Sequence, residues 1–192
     1  PNVVINDRGF DEGDFGTPER EYQKDETDRI VRFDRPTEAC NSVGTQSWGW
    51  RQDEDYYSTK FLTDSIAGVM AKGGNFLLNV GPDDKGAIPD KAAAILDEIA
   101  GWYRRVEEAF GDTSPATELT SSPHVLLTRC QGSLYVVLLA PERAEAVVLP
   151  PLDKEPVRAI LLNTGEELRT STDTLPAYWA SNSKHLTVKG LP

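Results

Sequence analysis

The chain changes its hydrophobic grammar once, near Gly111, and no other feature limits its possible folds as much. Before that point, short apolar runs alternate with helix-period segments. Beyond it, only short strand-like runs appear. Alternating strand and helix is the pattern of βα units around a parallel sheet. Short strands separated by turn residues belong to an antiparallel sandwich.

In the first part, residues 2–6 (Asn-Val-Val-Ile-Asn) predict a strand buried on both faces. Asp7 to about Pro36 is polar and shows no sustained period, which marks a functional or disordered loop. Residues 39–50 allow another strand. From Ser58 to Lys72 the period is helical: Leu62, Ile66, Val69 and Met70 share a face, and Gly73-Gly74 ends the helix. Residues 75–80 predict a strand closed by Gly81-Pro82. A second helix follows Pro89, which suits a first turn. Its apolar positions Ala92, Ile95, Leu96, Ile99, Tyr103, Val106 and Phe110 recur at threes and fours.

Asp112-Thr113-Ser114-Pro115 reads as a boundary, giving units 1–112 and 113–192. In the second unit, strands are expected at 124–129, 133–139, 146–149, 157–162 and 185–188, with no helix. That predicts a small antiparallel β-sandwich.

About three strands and two helices cannot close an eight-stranded barrel, which needs about 250 residues. The first unit is either a piece of such a barrel with exposed strand edges or a complete three-stranded α/β domain. The opening Pro-Asn-Val-Val-Ile-Asn lies directly in strand-like sequence and reads as a cut through a larger protein.

Charge narrows the partners. A formal net charge of −11 repels phosphate backbones and anionic lipid, so neither nucleic acid nor membrane is an expected partner. No apolar run approaches the roughly 20 residues of a membrane span. Cys40 and Cys130 form no C-x-x-C pair, and His124 and His185 stand far apart, so no metal site is expected.

Three clusters carry possible chemistry, each where a strand gives way to a loop. Asn6-Asp7-Arg8 follows the first strand. Arg8 suits a fork of hydrogen bonds to a sugar hydroxyl pair, or an ion pair with Asp7 or another loop acid. Gly13-Asp14-Phe15-Gly16-Thr17-Pro18-Glu19 presents Glu19 on a loop stiffened by Pro18. Glu19 fits a general acid/base, and equally one solvated acid among 31. Ser47-Trp48-Gly49-Trp50 fits an apolar wall for a sugar face, or ordinary core aromatics.

Taken together the clusters resemble glycoside hydrolase family 29, the α-L-fucosidases, over roughly residues 2–112. The most specific stretch is Lys72-Gly73-Gly74-Asn75-Phe76-Leu77-Leu78-Asn79-Val80-Gly81-Pro82, followed by Asp84, Gly86, Ile88, Pro89 and Gly101-Trp102. The resemblance implies the C-terminal part of a (β/α)8-like barrel followed by a β-sandwich. It implies retaining hydrolysis of α-L-fucosides of glycans, without metal or cofactor. By motif match Glu19 is the acid/base, Arg8 a substrate contact and Trp48 a wall of the fucose pocket. The family's nucleophilic Asp and substrate-binding histidines belong upstream of residue 1. They would come from a missing N-terminal half or another protomer. The Trp of the family's Trp-Glu pair is also absent, since the stretch reads Pro36-Thr37-Glu38-Ala39-Cys40. The competing expectation is a carbohydrate-binding or inactive remnant that lacks the nucleophile.

Overall fold

The computed structural model describes residues 2–9, 12–20, 31–139, 145–174 and 184–191. Strands β1 (Glu38–Ser42) and β2 (Asn75–Asn79) pair in parallel, with Glu38 opposite Asn75 and Ser42 opposite Asn79. Between them runs α1 (Thr59–Ala71), and α2 (Asp90–Val106) follows β2. The Ser58 side chain caps α1 by accepting from the Phe61 amide at 3.2 Å. Gly73 ends the helix as its sequence position suggests. Its φ of 85° is left-handed, and its amide reaches back to the Met70 carbonyl at 2.9 Å. Pro89 sits one step before the expected first turn, as the cap residue of α2.

Two further extended segments join this pair. Residues 14–20 lie beside β1, with the Cys40 amide donating to Pro18 and the Arg20 amide to Cys40, both at 3.0 Å. Residues 5–7 lie beside 14–16 through Asp14 N to Ile5 O at 2.6 Å and Asp7 N to Phe15 O at 3.1 Å. All these neighbours run parallel and follow chain order.

The strand expected at residues 2–6 does not form as such. Val3, Val4 and Ile5 are 77%, 68% and 58% exposed, and the pairing is one bridge, Asn6 to Phe15. Apolar composition promised burial on both faces, but among the described residues segment 12–16 is what the backbone hydrogen-bonds to. The long polar stretch is not all loop either, since residues 14–20 are part of the parallel array.

The remaining strands build two antiparallel sheets. One has the order β3 (Ser114–Pro115), β4 (Val125–Cys130), β5 (Ser133–Leu138). The other has the order β6 (Ala146–Leu149), β9 (Lys184–Lys189), β8 (Glu166–Thr174), β7 (Ala159–Leu161). Strand β8 falls where no strand is expected from sequence. Its side chains are mostly exposed, so it lacks apolar alternation, and ladders to β7 and β9 hold it instead.

Apolar clusters layer these elements. Val43, Leu62, Ala92 and Ile95 seal α1 and α2 against the parallel pair. Ala67, Ala71, Val106 and Phe110 meet Leu126, Tyr135 and Val137 on one face of the β4–β5 sheet. Leu127, Leu134 and Val136 on its other face meet Val147, Leu149 and Leu186 of the four-stranded sheet. Burial on both faces explains the unbroken apolar runs of β4 and β5.

Candidate functional site

The chain-order array places the ends of its segments around one open cavity of about 420 Å³. Asn6, Arg8, Thr17, Glu19 and Trp48 line it, together with Glu38 and Cys40 of β1 and Leu77 and Asn79 of β2. Period-2 alternation selects those strand residues: Glu38 and Cys40 face the cavity while Ala39 and Asn41 are buried behind them. All three residues singled out by sequence, Arg8, Glu19 and Trp48, therefore border the same space.

Arg8 is the hub of the site. It forms an ion pair with Glu19, both side chains being nearly half exposed at 45% and 42%. Its Nε donates to Thr17 Oγ1 at 3.0 Å, and one Nη donates to the Thr17 carbonyl and to Cys40 Sγ, both at 3.3 Å. The Glu19 hydrogen bond strengthens the guanidinium's hold on its proton, so Arg8 is a fixed positive charge. Of the two pairings open in the sequence, Arg8 takes the loop acid rather than Asp7.

Asp7 is used differently. It accepts from the Thr17 amide at 3.0 Å and the Thr17 hydroxyl at 2.5 Å, and pairs with Arg35 at 2.6 Å. The Thr17 hydroxyl is the main cause holding its carboxyl below the ordinary value. Desolvation pushes the other way, and Arg35 and the Thr17 amide add to the lowering. Arg35 also donates to the Glu12 carbonyl at 2.6 Å. Gly13 makes this turn possible: its φ is 63°, and a Cβ there would lie 2.5 Å from the Asn6 carbonyl. Asp7 thus ties the first segment to the one that bears Glu19.

Trp48, 37% exposed, stands on the loop after β1. Asn79 Nδ2 donates to its carbonyl at 2.6 Å and to Ser42 Oγ at 3.2 Å. The Arg20 guanidinium lies 4.7 Å from the ring centroid. Sequence reading missed Arg35, Thr17, Cys40, Asn79 and Arg20 as parts of this site. Thr17 and Arg20 lie within two residues of Glu19, and Asn79 ends a strand, so position was the signal available for these three. For Arg35 there was none.

The arrangement offers a carboxylate for proton transfer, a fixed cation and an aromatic face, with access from solvent. Among the described residues, no group of three or more His, Cys, Asp or Glu side chains could hold a metal ion. No helix among them is long and apolar enough to cross a membrane.

A parallel βα array with polar and aromatic side chains gathered at its strand ends has the layout of an α/β fold with a ligand-binding face. The Alpha-L-fucosidase family profile matches residues 1–108, and the chain belongs to that family. The alpha-L-fucosidase of Dictyostelium discoideum is 30% identical over 131 residues, covering 65% of this chain and 28% of that protein. The tissue alpha-L-fucosidase of Homo sapiens is 25% identical over 146 residues, covering 73% and 31%. The chain therefore spans about 30% of the length of the curated relatives it matches. Among solved structures, the Thermotoga maritima alpha-fucosidase superposes with a TM-score of 0.68 at 25% identity, over 94% of this chain and 39% of that one. A Bacteroides thetaiotaomicron alpha-L-fucosidase of family GH29 gives 0.72 at 21% identity, over 92% and 42%. These neighbours share the fold on both sides of Gly111.

Proposed function

We propose that this chain supplies the acid/base side of a retaining α-L-fucosidase active site. In this reading residues 1–112 are the C-terminal part of a (β/α)8-like barrel, and 113–192 are a β-sandwich beside it. The substrate is a fucosylated glycan with a terminal α-L-fucose. The observation that carries the proposal is the Arg8–Glu19 pair on an open cavity walled by Trp48. Family membership gives that geometry its chemical direction.

When Arg8 leaves it for the substrate, Glu19 takes up a proton from solvent, gives that proton to the leaving glycosidic oxygen and later takes one from the attacking water. A nucleophilic Asp attacks the anomeric carbon, and it comes from strands outside these 192 residues. Retention finds support in a Bacteroides thetaiotaomicron relative trapped as a covalent intermediate with 2-fluoro-fucosyl fluoride in a glutamate-to-glutamine variant. Arg8 turns from Glu19 to the sugar hydroxyls when substrate enters. Water screens a pair this exposed, so the exchange costs little. Trp48 offers an apolar face to the sugar's C–H groups. No step calls on a metal or cofactor.

The test is Glu19→Gln in the polypeptide that contains both this chain and the nucleophile. Turnover of glycan fucosides, whose leaving groups need a proton, should fall about 10²–10⁴-fold. An aryl fucoside with an acidic leaving group should lose far less. Equal losses on the two substrates would remove Glu19 from the acid role.

A further inference from the structure

Arg20 is the residue next to Glu19, and it points elsewhere. Its backbone φ is 54°, in the left-handed region that side-chain-bearing residues seldom occupy. Such a conformation persists where the surroundings over-determine it. Here they do so in three ways. The Arg20 amide donates to the Cys40 carbonyl of β1 at 3.0 Å. One guanidinium nitrogen donates to the Thr45 carbonyl at 2.6 Å. The guanidinium carbon stands 4.7 Å from the centroid of the Trp48 ring. Arg20 does not itself line the cavity, whereas Glu19 and Trp48 both do.

We propose that Arg20 is a positioning residue for substrate binding: it holds the Trp48 wall at a fixed distance from Glu19 by clamping the 45–48 loop and the Trp48 ring. This rests on the fucosidase reading and adds to it a residue that touches no substrate. The physical logic is registration. The loop after β1 bears Trp48 and lies largely open to solvent, so its ring needs an outside brace. Asn79 fixes the Trp48 carbonyl but leaves the ring free to turn. Arg20 fixes the ring, and its own backbone is pinned to β1 one residue from the proton-transfer carboxylate. A ring stacked by a guanidinium keeps its opposite face free for a sugar.

Three predictions separate this from a surface ornament, measured on an aryl α-L-fucoside with the polypeptide that contains the nucleophile. Losing the stacked cation and its hydrogen bond in Arg20→Met should raise KM about 5- to 10-fold while kcat stays within about 2-fold. Arg20→Lys retains a cation over the ring and should recover most of that KM. In a Trp48→Ala background, Arg20→Met should change KM less than about 2-fold, because the wall through which it acts is gone. An Arg20→Met effect that persists undiminished in that background would overturn the proposal, as would a fall in kcat with KM unmoved.

A second readout needs no turnover. Acrylamide quenching of Trp48, taken as the difference from Trp48→Phe, should rise in Arg20→Met and return in Arg20→Lys. If the wild type hydrolyses no fucoside, the fucosidase reading fails and quenching decides the clamp alone: unchanged quenching refutes it, and raised quenching upholds it.

Discussion

Around the cavity, Asp7, Arg8, Glu19 and Arg35 meet as ion pairs between side chains that keep a quarter to nearly half of their surface in water. Between the two antiparallel sheets, Ala116, Leu127 and Leu149 are at most 1% exposed and pack among apolar neighbours. Exposed ion pairs are worth about 0–1 kcal/mol each, while truncating a buried Leu costs about 2–5 kcal/mol. The packed sheets therefore contribute far more to stability than the ion pairs of the cavity, which are left free to exchange partners. A binding site is expected at the low-stability end of a structure, since its groups must exchange internal partners for ligand.

The largest expected effect probes the stable side. Leu127 of β4 is fully buried where the β4–β5 sheet meets the four-stranded sheet. Leu127→Ala should lower unfolding free energy by about 2–5 kcal/mol, measured by urea denaturation followed by circular dichroism. Quenching of Trp48 in the folded protein should not change. A simultaneous change would mean that the sheets and the cavity wall are one mechanical unit, and the contrast between them would fail.

A middle-sized effect tests the joint between the regions. Helix α1 packs on β1–β2 through Leu62 and on the β4–β5 sheet through Ala67 and Ala71. Ser58→Ala removes its cap and should cost about 1 kcal/mol. Because α1 touches both layers, the loss should appear in one cooperative transition. Two separated transitions would show that the regions unfold independently.

How much of this was legible follows the same division of forces. Helices α1 and α2 announce themselves because one-sided burial imposes a 3.6-residue period, visible from Leu62 to Met70 and from Ala92 to Val106. Strand β8 stays hidden because Thr170, Thr172 and Thr174 are held by backbone ladders, which leave no apolar signature. Residues 2–6 err in the opposite sense, since their apolar run says nothing about what covers it. Arg8, Glu19 and Trp48 are legible as a family pattern. Their pairings are not: Asp7 meets Arg35 and Asn79 meets Trp48 across 28 and 31 residues of chain, separations that only the fold closes.

The smallest effect is also the one whose sign is most constrained. Asp7 is the acceptor that ties the first segment to Thr17 and Arg35. These partners favour its ionised form, so its carboxyl titrates below the ordinary 3.8 in the folded protein. A depressed folded value means that the ionised form stabilises the fold above the unfolded value. That contribution fades as pH falls below 3.8 and through the lower folded value. Asp7→Asn cannot titrate and offers its partners an uncharged acceptor in place of the carboxylate. Its melting temperature should be slightly lower than wild type near neutrality, and the gap should close as the pH is taken from about 5 to about 2. Melting curves at several pH values measure it directly. A gap that stays constant across that range would show that the ionised carboxylate contributes nothing. The first segment would then be held by its backbone bridge to Phe15 rather than by charge.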